Sequence, residues 1–235
     1  MQGLFVTATD TGVGKTVLSA SLLAAMAAEG ERVRAYKPVV TGLEDAAEIA
    51  ARGQWPADHE LLGAVAGMDA QEVSPLRYGP AVSPHLAAEL AGERIAPEQV
   101  LAGALAAGAP DADACTLVVE GVGGLLVALS EQYSVCDLAV ALALPVTIAA
   151  RPGLGTINHT LLTLQAARSA GLRVCAVVLT PWPAQPTALE RSNLESIERL
   201  GAVEVQTLER VSGPQVAELA RAGSSLPWRR WLQTT

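Results

Sequence analysis

Aromatic residues are scarce in this 235-residue chain: one Phe, three Tyr and four Trp, 3% in all. A surface that stacks bases needs several exposed rings, so an aromatic platform for single-stranded nucleic acid is excluded. The core must instead be built from Ala, Val, Leu and Ile. Positive charge is also short. Sixteen basic against 24 acidic residues leave a net charge of −8, a poor match for phosphate backbones or anionic membranes. The three cysteines (Cys115, Cys136, Cys175) form no CxxC pair and no disulfide framework, which fits a reducing compartment. The longest largely apolar run, Leu138 to Ala150, has 13 residues and contains Pro145, whereas a bilayer span takes ~20. The opening MQGLFV lacks the basic stretch of an export signal. These absences predict a soluble, cytoplasmic protein with neither nucleic acid nor membrane as partner.

Lysine is the scarcest charge. Fourteen of the 16 basic residues are Arg, and only Lys15 and Lys37 carry a compact ammonium. Codon bias would explain two chance survivors. Their positions, described below, argue for chemistry instead.

Half of the residues are hydrophobic, enough for a sizeable core, and the length suits one domain over residues 1–235. Short apolar runs alternate with helical patterns. Strands are expected over Gly3–Ala8, Arg32–Lys37, Leu117–Val119, Pro145–Ala150, Val174–Thr180 and Ala202–Thr207. Helices are expected over Lys15–Glu29, Pro97–Ala107, Cys136–Leu144, Thr156–Ala170, Ala188–Leu200 and Pro214–Ala222. Continuous Val/Ile/Leu runs suit parallel strands buried on both faces. The pattern predicts an α/β fold, a doubly wound and mostly parallel sheet with helices on both faces. Thr41–Gly92, with short helical fragments at Asp45–Arg52, His59–Val65 and Pro84–Leu90 and prolines at 75, 80 and 84, reads as an insertion over the sheet. The tail with Trp228 and Trp231 reads as a packed C-terminal segment.

The first strand runs into TATDTGVGKT, residues 7–16, and then a helix. Gly12, Gly14, Lys15 and Thr16 match the end of the phosphate-loop pattern, in the strand–loop–helix context it needs. Thr9 stands where its first Gly would be. Glycines let successive N–H groups turn inward as an anion nest, and the helix N-terminus adds partial positive charge. Lys15 would reach the outer phosphates and Thr16 would offer a hydroxyl to Mg²⁺. A glycine-bent turn without ligand is the plain alternative. Glu120 follows a buried strand in TLVVEGVGG, at the sheet edge where ligands bind in open α/β folds. It suits a metal or water contact, and Gly121, Gly123 and Gly124 would admit phosphate close to the backbone. An acidic residue at an exposed strand end is the alternative. Lys37 ends the second strand in AYKPVVTG and could stabilise charge on a transferred phosphoryl group, or be a solvated surface lysine. Gly155 to Asn158 open a helix whose free N–H groups could hold a carboxylate; Asn158 and His159 also fit ordinary first-turn residues.

Five segments in order, FVTATDTGVGKT, AYKPVVTG, SPH at Ser83–His85, VEGVGG at Val119–Gly124 and LGTINHTLLT at Leu154–Thr163, resemble the dethiobiotin synthetase family over nearly the whole chain. The resemblance implies a P-loop NTPase-like fold and an ATP- and Mg²⁺-dependent ring closure. CO₂ and 7,8-diaminononanoate form a carbamate, the nucleotide phosphorylates it, and the second amine displaces phosphate to give dethiobiotin. It implies catalytic roles for Lys37, Lys15 and Thr11. Metal would be held by Thr16, Glu120 and an aspartate, Asp58 or, as second choice, Asp45. Nucleotide contacts would come from Gly12, Val13, Gly14, Lys15, Thr16 and Val17, from Glu120, Gly121, Val122 and Gly123, and from Thr180, Pro181 and Leu208. Substrate would meet Lys37, Thr41, Gly155, Thr156, Ile157 and Asn158, the last four across a homodimer interface.

Three positions depart from the family pattern. Ala8 replaces Gly, Thr180 replaces the Asn that reads the adenine base, and Leu208–Glu209 replaces an Ile-Pro contact. Weak or altered base selectivity is therefore expected. The loop also resembles those of partitioning and division-site ATPase switches, but Asp10 stands where they carry a signature lysine, and no terminal basic amphipathic helix is present. A cobyrinate amidase-type synthetase would need a glutaminase domain that this length does not accommodate. A non-catalytic binding module on the same fold would leave Lys37 without a task.

Overall fold

The computed structural model describes residues 1–108 and 115–233. Six parallel strands form the main sheet: β1 (Gln2–Ala8), β2 (Val33–Tyr36), β5 (Thr116–Glu120), β8 (Val146–Ala150), β9 (Val174–Trp182) and β10 (Val205–Glu209). Their spatial order is β10-β9-β8-β1-β5-β2, with β1 paired to both β5 and β8. The order reverses at β1, so the carboxyl ends of β1, β5 and β8 enclose the crevice where such sheets bind ligands.

The strand sequences explain the layering. Successive side chains point to opposite faces. In β1, Leu4, Val6 and Ala8 join one core cluster while Phe5 joins the other, and all four are fully buried. On the first face lie α1 (Lys15–Ala28), α3 (Asp58–Ala66), α10 (Val216–Gly223) and α11 (Trp228–Leu232). On the second lie α6 (Pro97–Gly108), α7 (Val135–Leu142), α8 (Thr156–Ser169) and α9 (Ala188–Gly201). Helix α1 is apolar all round and buried from Leu18 to Met26, as expected of a helix covered on both sides. Its outer cover is α10. At that crossing Gly223 sits directly against the Ser21 carbonyl, where a Cβ would collide with backbone.

The expected strands and helices are present, with shifted ends. The last strand lies at Val205–Glu209 rather than Ala202–Thr207, because α9 continues to Gly201 and Ala202 closes it in the left-handed region (φ 42°). Helix α7 starts one residue early, because Ser134 and Asp137 form a reciprocal cap: the Asp137 N–H donates to Ser134 Oγ, and Ser134 N–H donates to Asp137 Oδ2. The 41–92 region carries the three expected fragments as α2 (Ala46–Arg52), α3 and α5 (Pro84–Leu90). It also contains α4 (Ala70–Val73) and β4 (Leu76–Arg77), which forms a two-residue parallel ladder with β3 (Val39–Val40) just before the region; the sequence did not reveal either. The hairpin of β6 (Ala128–Ser130) and β7 (Tyr133–Ser134) was likewise missed. Trp228 and Trp231 are buried, and Trp231 Nε1 donates to Glu204 Oε1 (3.3 Å). No helix among the described residues is long and apolar enough to cross a membrane.

Candidate active site

The loop between β1 and α1 turns on two glycines in the left-handed region, Gly12 (φ 68°) and Gly14 (φ 97°), which other residues enter only with strain. Gly14, the N-cap of α1, has no side chain to bond the first-turn N–H groups. Those donors are therefore open to an anion. Lys15 opens the helix and is buried. Burial first, and then the nearby Lys37 ammonium, pull its pKa below the ordinary lysine value, against the opposing pull of Glu120, Asp58 and Asp10.

Four side chains, from β5, α1, α3 and the turn just after β2, meet beneath this loop. Glu120, at the end of β5, is fully buried. Its Oε1 accepts from Thr16 Oγ1 (2.8 Å) and from Lys37 Nζ (2.5 Å). Lys37 Nζ also pairs with Asp58 Oδ2 at 2.8 Å. Burial works against the Lys37 ammonium, but the Asp58 and Glu120 carboxylates outweigh it and raise its pKa above the usual lysine range. Burial likewise works against the Asp58 carboxylate. Lys37, then Lys15 and a hydrogen bond from Thr16, overcome it and hold Asp58 at about 2. The cluster thus joins Lys37 to two carboxylates and the Thr16 hydroxyl, with Lys15 nearby.

This geometry distinguishes the two aspartates. Asp58 is the first residue of α3 and faces Lys37. Asp45 caps α2, its Oδ1 accepting from the Ala47 and Glu48 N–H groups at 3.0 Å each. Among the described residues, Glu120 Oε2 is buried without a hydrogen-bond partner. An orphaned carboxylate oxygen beside a hydroxyl and a second carboxylate is a hard-oxygen donor set that fits Mg²⁺.

Above the cluster opens a cavity of about 650 Å³. Among the residues singled out from sequence, Thr11, Gly12, Gly14, Lys15, Thr16, Val17, Lys37, Thr41, Asp58, Val122 and Gly123 line it. Others stand elsewhere. The Val13 and Leu208 side chains are buried in the core and leave only backbone for a ligand. Gly121 packs against Val135. Thr180 is buried beneath the loop, where a Cβ on Gly14 would lie 3.2 Å from its Cγ2, and Pro181 follows it partly exposed. Gly155 caps α8, Thr156 is buried against Thr160, Ile157 is half-buried and Asn158 is exposed; this chain does not bring them into the cavity.

Trp55 and Arg52 also line the cavity and were missed, although a tryptophan in so aromatic-poor a chain was a usable signal. Arg151 was missed too: its Nη2 donates to the carbonyls of Thr11 and Gly12 at 3.2 Å each. A second cleft of about 750 Å³ lies at the other end of the sheet, lined by Met1, Glu31, Trp228 and Arg229. It contains neither glycine loop nor lysine–carboxylate cluster, and both of these belong to the first cavity.

A family model described as an AAA domain matches residues 2–213. Among solved structures, the MinC:MinD cell division protein complex of Aquifex aeolicus superposes with a TM-score of 0.55 at 14% identity, over 99% of this chain and 92% of that one. A putative plasmid partition protein of Borrelia burgdorferi bound to AMPPNP gives 0.56 at 12%, over 97% and 98%. Such low identity establishes the fold, and the fold is that of a P-loop α/β protein. Closer relatives narrow the class. The ATP-dependent dethiobiotin synthetase BioD of Bacillus subtilis strain 168 is 36% identical over 87% of this chain and 85% of its own length. That of Mycobacterium sp. strain JLS is 36% identical over 99% and 98%, and that of Anaeromyxobacter sp. 41% over 76% of each. The chain belongs to the ATP-dependent dethiobiotin synthetase family, and is an enzyme of the ATP-dependent ligase class.

Proposed function

We propose that this chain, acting as one domain over residues 1–235, closes the cyclic urea of dethiobiotin in biotin biosynthesis. The observation that carries the proposal is the junction of Lys37, Glu120, Asp58 and Thr16 directly beneath a glycine-bent loop. One amine of 7,8-diaminononanoate adds to CO₂ and forms a carbamate. A carbamate oxygen attacks the terminal phosphorus of ATP, and ADP leaves. The second amine attacks the carbonyl carbon of the resulting carbamic-phosphoric anhydride and expels phosphate.

The loop N–H groups of residues 12–17 bind the phosphates, joined by the backbone from Glu120 to Gly123. Lys15 and Lys37 neutralise charge spreading from the carbamate to the γ-phosphate, which is where preorganised cations lower such barriers. Thr11 contacts the transferring group from the loop, and Thr41 contacts the diamine. Thr16, Asp58 and Glu120 would hold Mg²⁺, which supplies charge neutralisation to the phosphates when bound.

Gly155, Thr156, Ile157 and Asn158 bind the substrate carboxylate at the open end of α8, across a homodimer interface. Their absence from this chain's own cavity supports that placement, as do exposed Leu154 and Leu162 beside them. The base lies near Thr180, Pro181 and Leu208. Thr180 is spent on packing beneath Gly14 and Leu208 on the core, which supports weak base selectivity. The setting is cytoplasmic.

The test is phosphate release from MgATP with and without diaminononanoate and bicarbonate, with mass detection of the product. Release that needs both substrates and yields dethiobiotin is expected. Hydrolysis indifferent to them would overturn the assignment in favour of a nucleotide switch. Turnover with CTP and GTP within tenfold of ATP is also expected, and a strong ATP preference would refute weak selectivity.

A further inference from the structure

Arg151 follows β8 directly and reaches the outside of the phosphate loop. Its Nη2 donates to the Thr11 and Gly12 carbonyl oxygens, each at 3.2 Å. A trans peptide is planar, so the carbonyl of one residue and the N–H of the next point in opposite directions. The Thr11 carbonyl is paired in this way with the Gly12 N–H, and the Gly12 carbonyl with the Val13 N–H. Drawing two successive carbonyls to one cation therefore turns two successive N–H groups to the other side of the loop. A nest for an anion is made of such convergent N–H groups. The cation also polarises both amides, which strengthens their N–H groups as donors.

The loop needs such a brace. Gly12 sits at φ 68°, and a glycine left to itself visits many conformations. Contact is close: a Cβ on Gly12 would stand 3.3 Å from the guanidinium nitrogen. The brace is itself anchored. Pro152 fixes the next φ, and buried Asn193 on α9 donates from Nδ2 to the Pro152 carbonyl (2.9 Å) and the Gly153 carbonyl (3.0 Å). Arg151 thus links a rigid helix on one face of the sheet to the loop at its edge.

We propose that Arg151 is a positioning residue for nucleotide binding: it clamps the Thr11 and Gly12 carbonyls from outside the loop and so presets the Gly12 and Val13 N–H groups toward the phosphates. It touches no phosphate itself. The inference rests on the reading of this loop as the phosphate site.

The experiment is calorimetric binding of ADP and of ATP to the full chain, in wild type, Arg151→Ala and Arg151→Lys. Hydrogen exchange of the loop amides is followed in parallel. Arg151→Ala is expected to raise both Kd values about tenfold and by the same factor, with the loss appearing in the nucleotide KM more than in kcat. Exchange at Gly12 and Val13 should speed up in the nucleotide-free protein. Lysine, which keeps a cationic donor, should restore part of the affinity. Unchanged Kd values in Arg151→Ala overturn the inference, as does a fall in melting temperature without a change in affinity. A loss confined to ATP also overturns it, because that would make Arg151 a γ-phosphate contact. No ADP binding by the unaltered chain would overturn the phosphate-site reading, and this inference with it.

Discussion

Lys37→Met replaces an ammonium with an apolar end on a side chain of similar length. In the wild type that ammonium lies 2.5 Å from Glu120 and 2.8 Å from Asp58. The two carboxylates are not equivalent. The Asp58 side chain is 40% exposed and can be rehydrated, whereas that of Glu120 is 0% exposed and cannot. The cost therefore falls on Glu120. Removing one partner of a buried ion pair costs about 3–5 kcal/mol, most of it the penalty of an uncompensated charge. Two effects favour the low end: Lys15 remains nearby as a second cation, and its repulsion by Lys37 is relieved. At about 2–4 °C per kcal/mol for a chain of this size, nucleotide-free Lys37→Met should melt about 6–12 °C below wild type. Lys37→Met/Glu120→Gln removes the stranded charge and should recover much of the loss. The double-mutant cycle should give a coupling of about 2 kcal/mol, within the range found for residues in contact. The assay is calorimetric or circular-dichroism melting without nucleotide. Lys37→Met melting at or above wild type would refute the reasoning, as would strictly additive effects in the double mutant.

Asp58 titrates at about 2 in the folded protein because Lys37, Lys15 and Thr16 outweigh its burial, against roughly 3.9 when unfolded. A depressed carboxylate contributes stability above the unfolded value and loses it as pH falls toward the folded one. Asp58→Asn should therefore flatten the urea-midpoint profile between about pH 4 and pH 2, and superimposable profiles would count against this. Gly223→Ala drives a Cβ into the Ser21 carbonyl of α1 and within 3.0 Å of the Ala25 Cβ. Separating α10 from α1 should cost about 1–3 kcal/mol, as overpacking does, and an unchanged denaturation midpoint would refute it. Leu154 is 90% exposed beside the proposed carboxylate site. Leu154→Glu should shift sedimentation from dimer toward monomer and lower ring closure in step, whereas a stable monomeric wild type would refute the shared site.

The sheet was legible because its strands are continuous apolar runs separated by helical periods, and parallel strands buried on both faces have that pattern. The glycine loop was legible because its chemistry is contiguous in sequence. Lys37 and Glu120 stood out because each sits at a strand end, and one is a rare residue type. The ranking of Asp58 before Asp45 rested on the family resemblance alone, since both stand at the starts of short helices. Three-dimensional placement separates them, one facing Lys37 and the other spent on a helix cap. Arg151 and Asn193 left no trace, because they bond backbone carbonyls, and a carbonyl is the same in every residue. The β3–β4 ladder escaped for a related reason: two residues are too few to show a period.

The position of β1 also bears on how the chain is made. Of the six strands of the main sheet it is made before the other five, and it lies at the centre of the sheet, where Gln2 pairs with Thr116 and Phe5 with Val146. At translation rates of roughly 5–20 residues per second, those partners emerge about 6–30 s after it. Through that interval Leu4, Phe5 and Val6 have no sheet to enter. The nascent chain is therefore most exposed to chaperones and to aggregation before β8 leaves the ribosome, and a pause in translation upstream of Val146 would prolong that exposure.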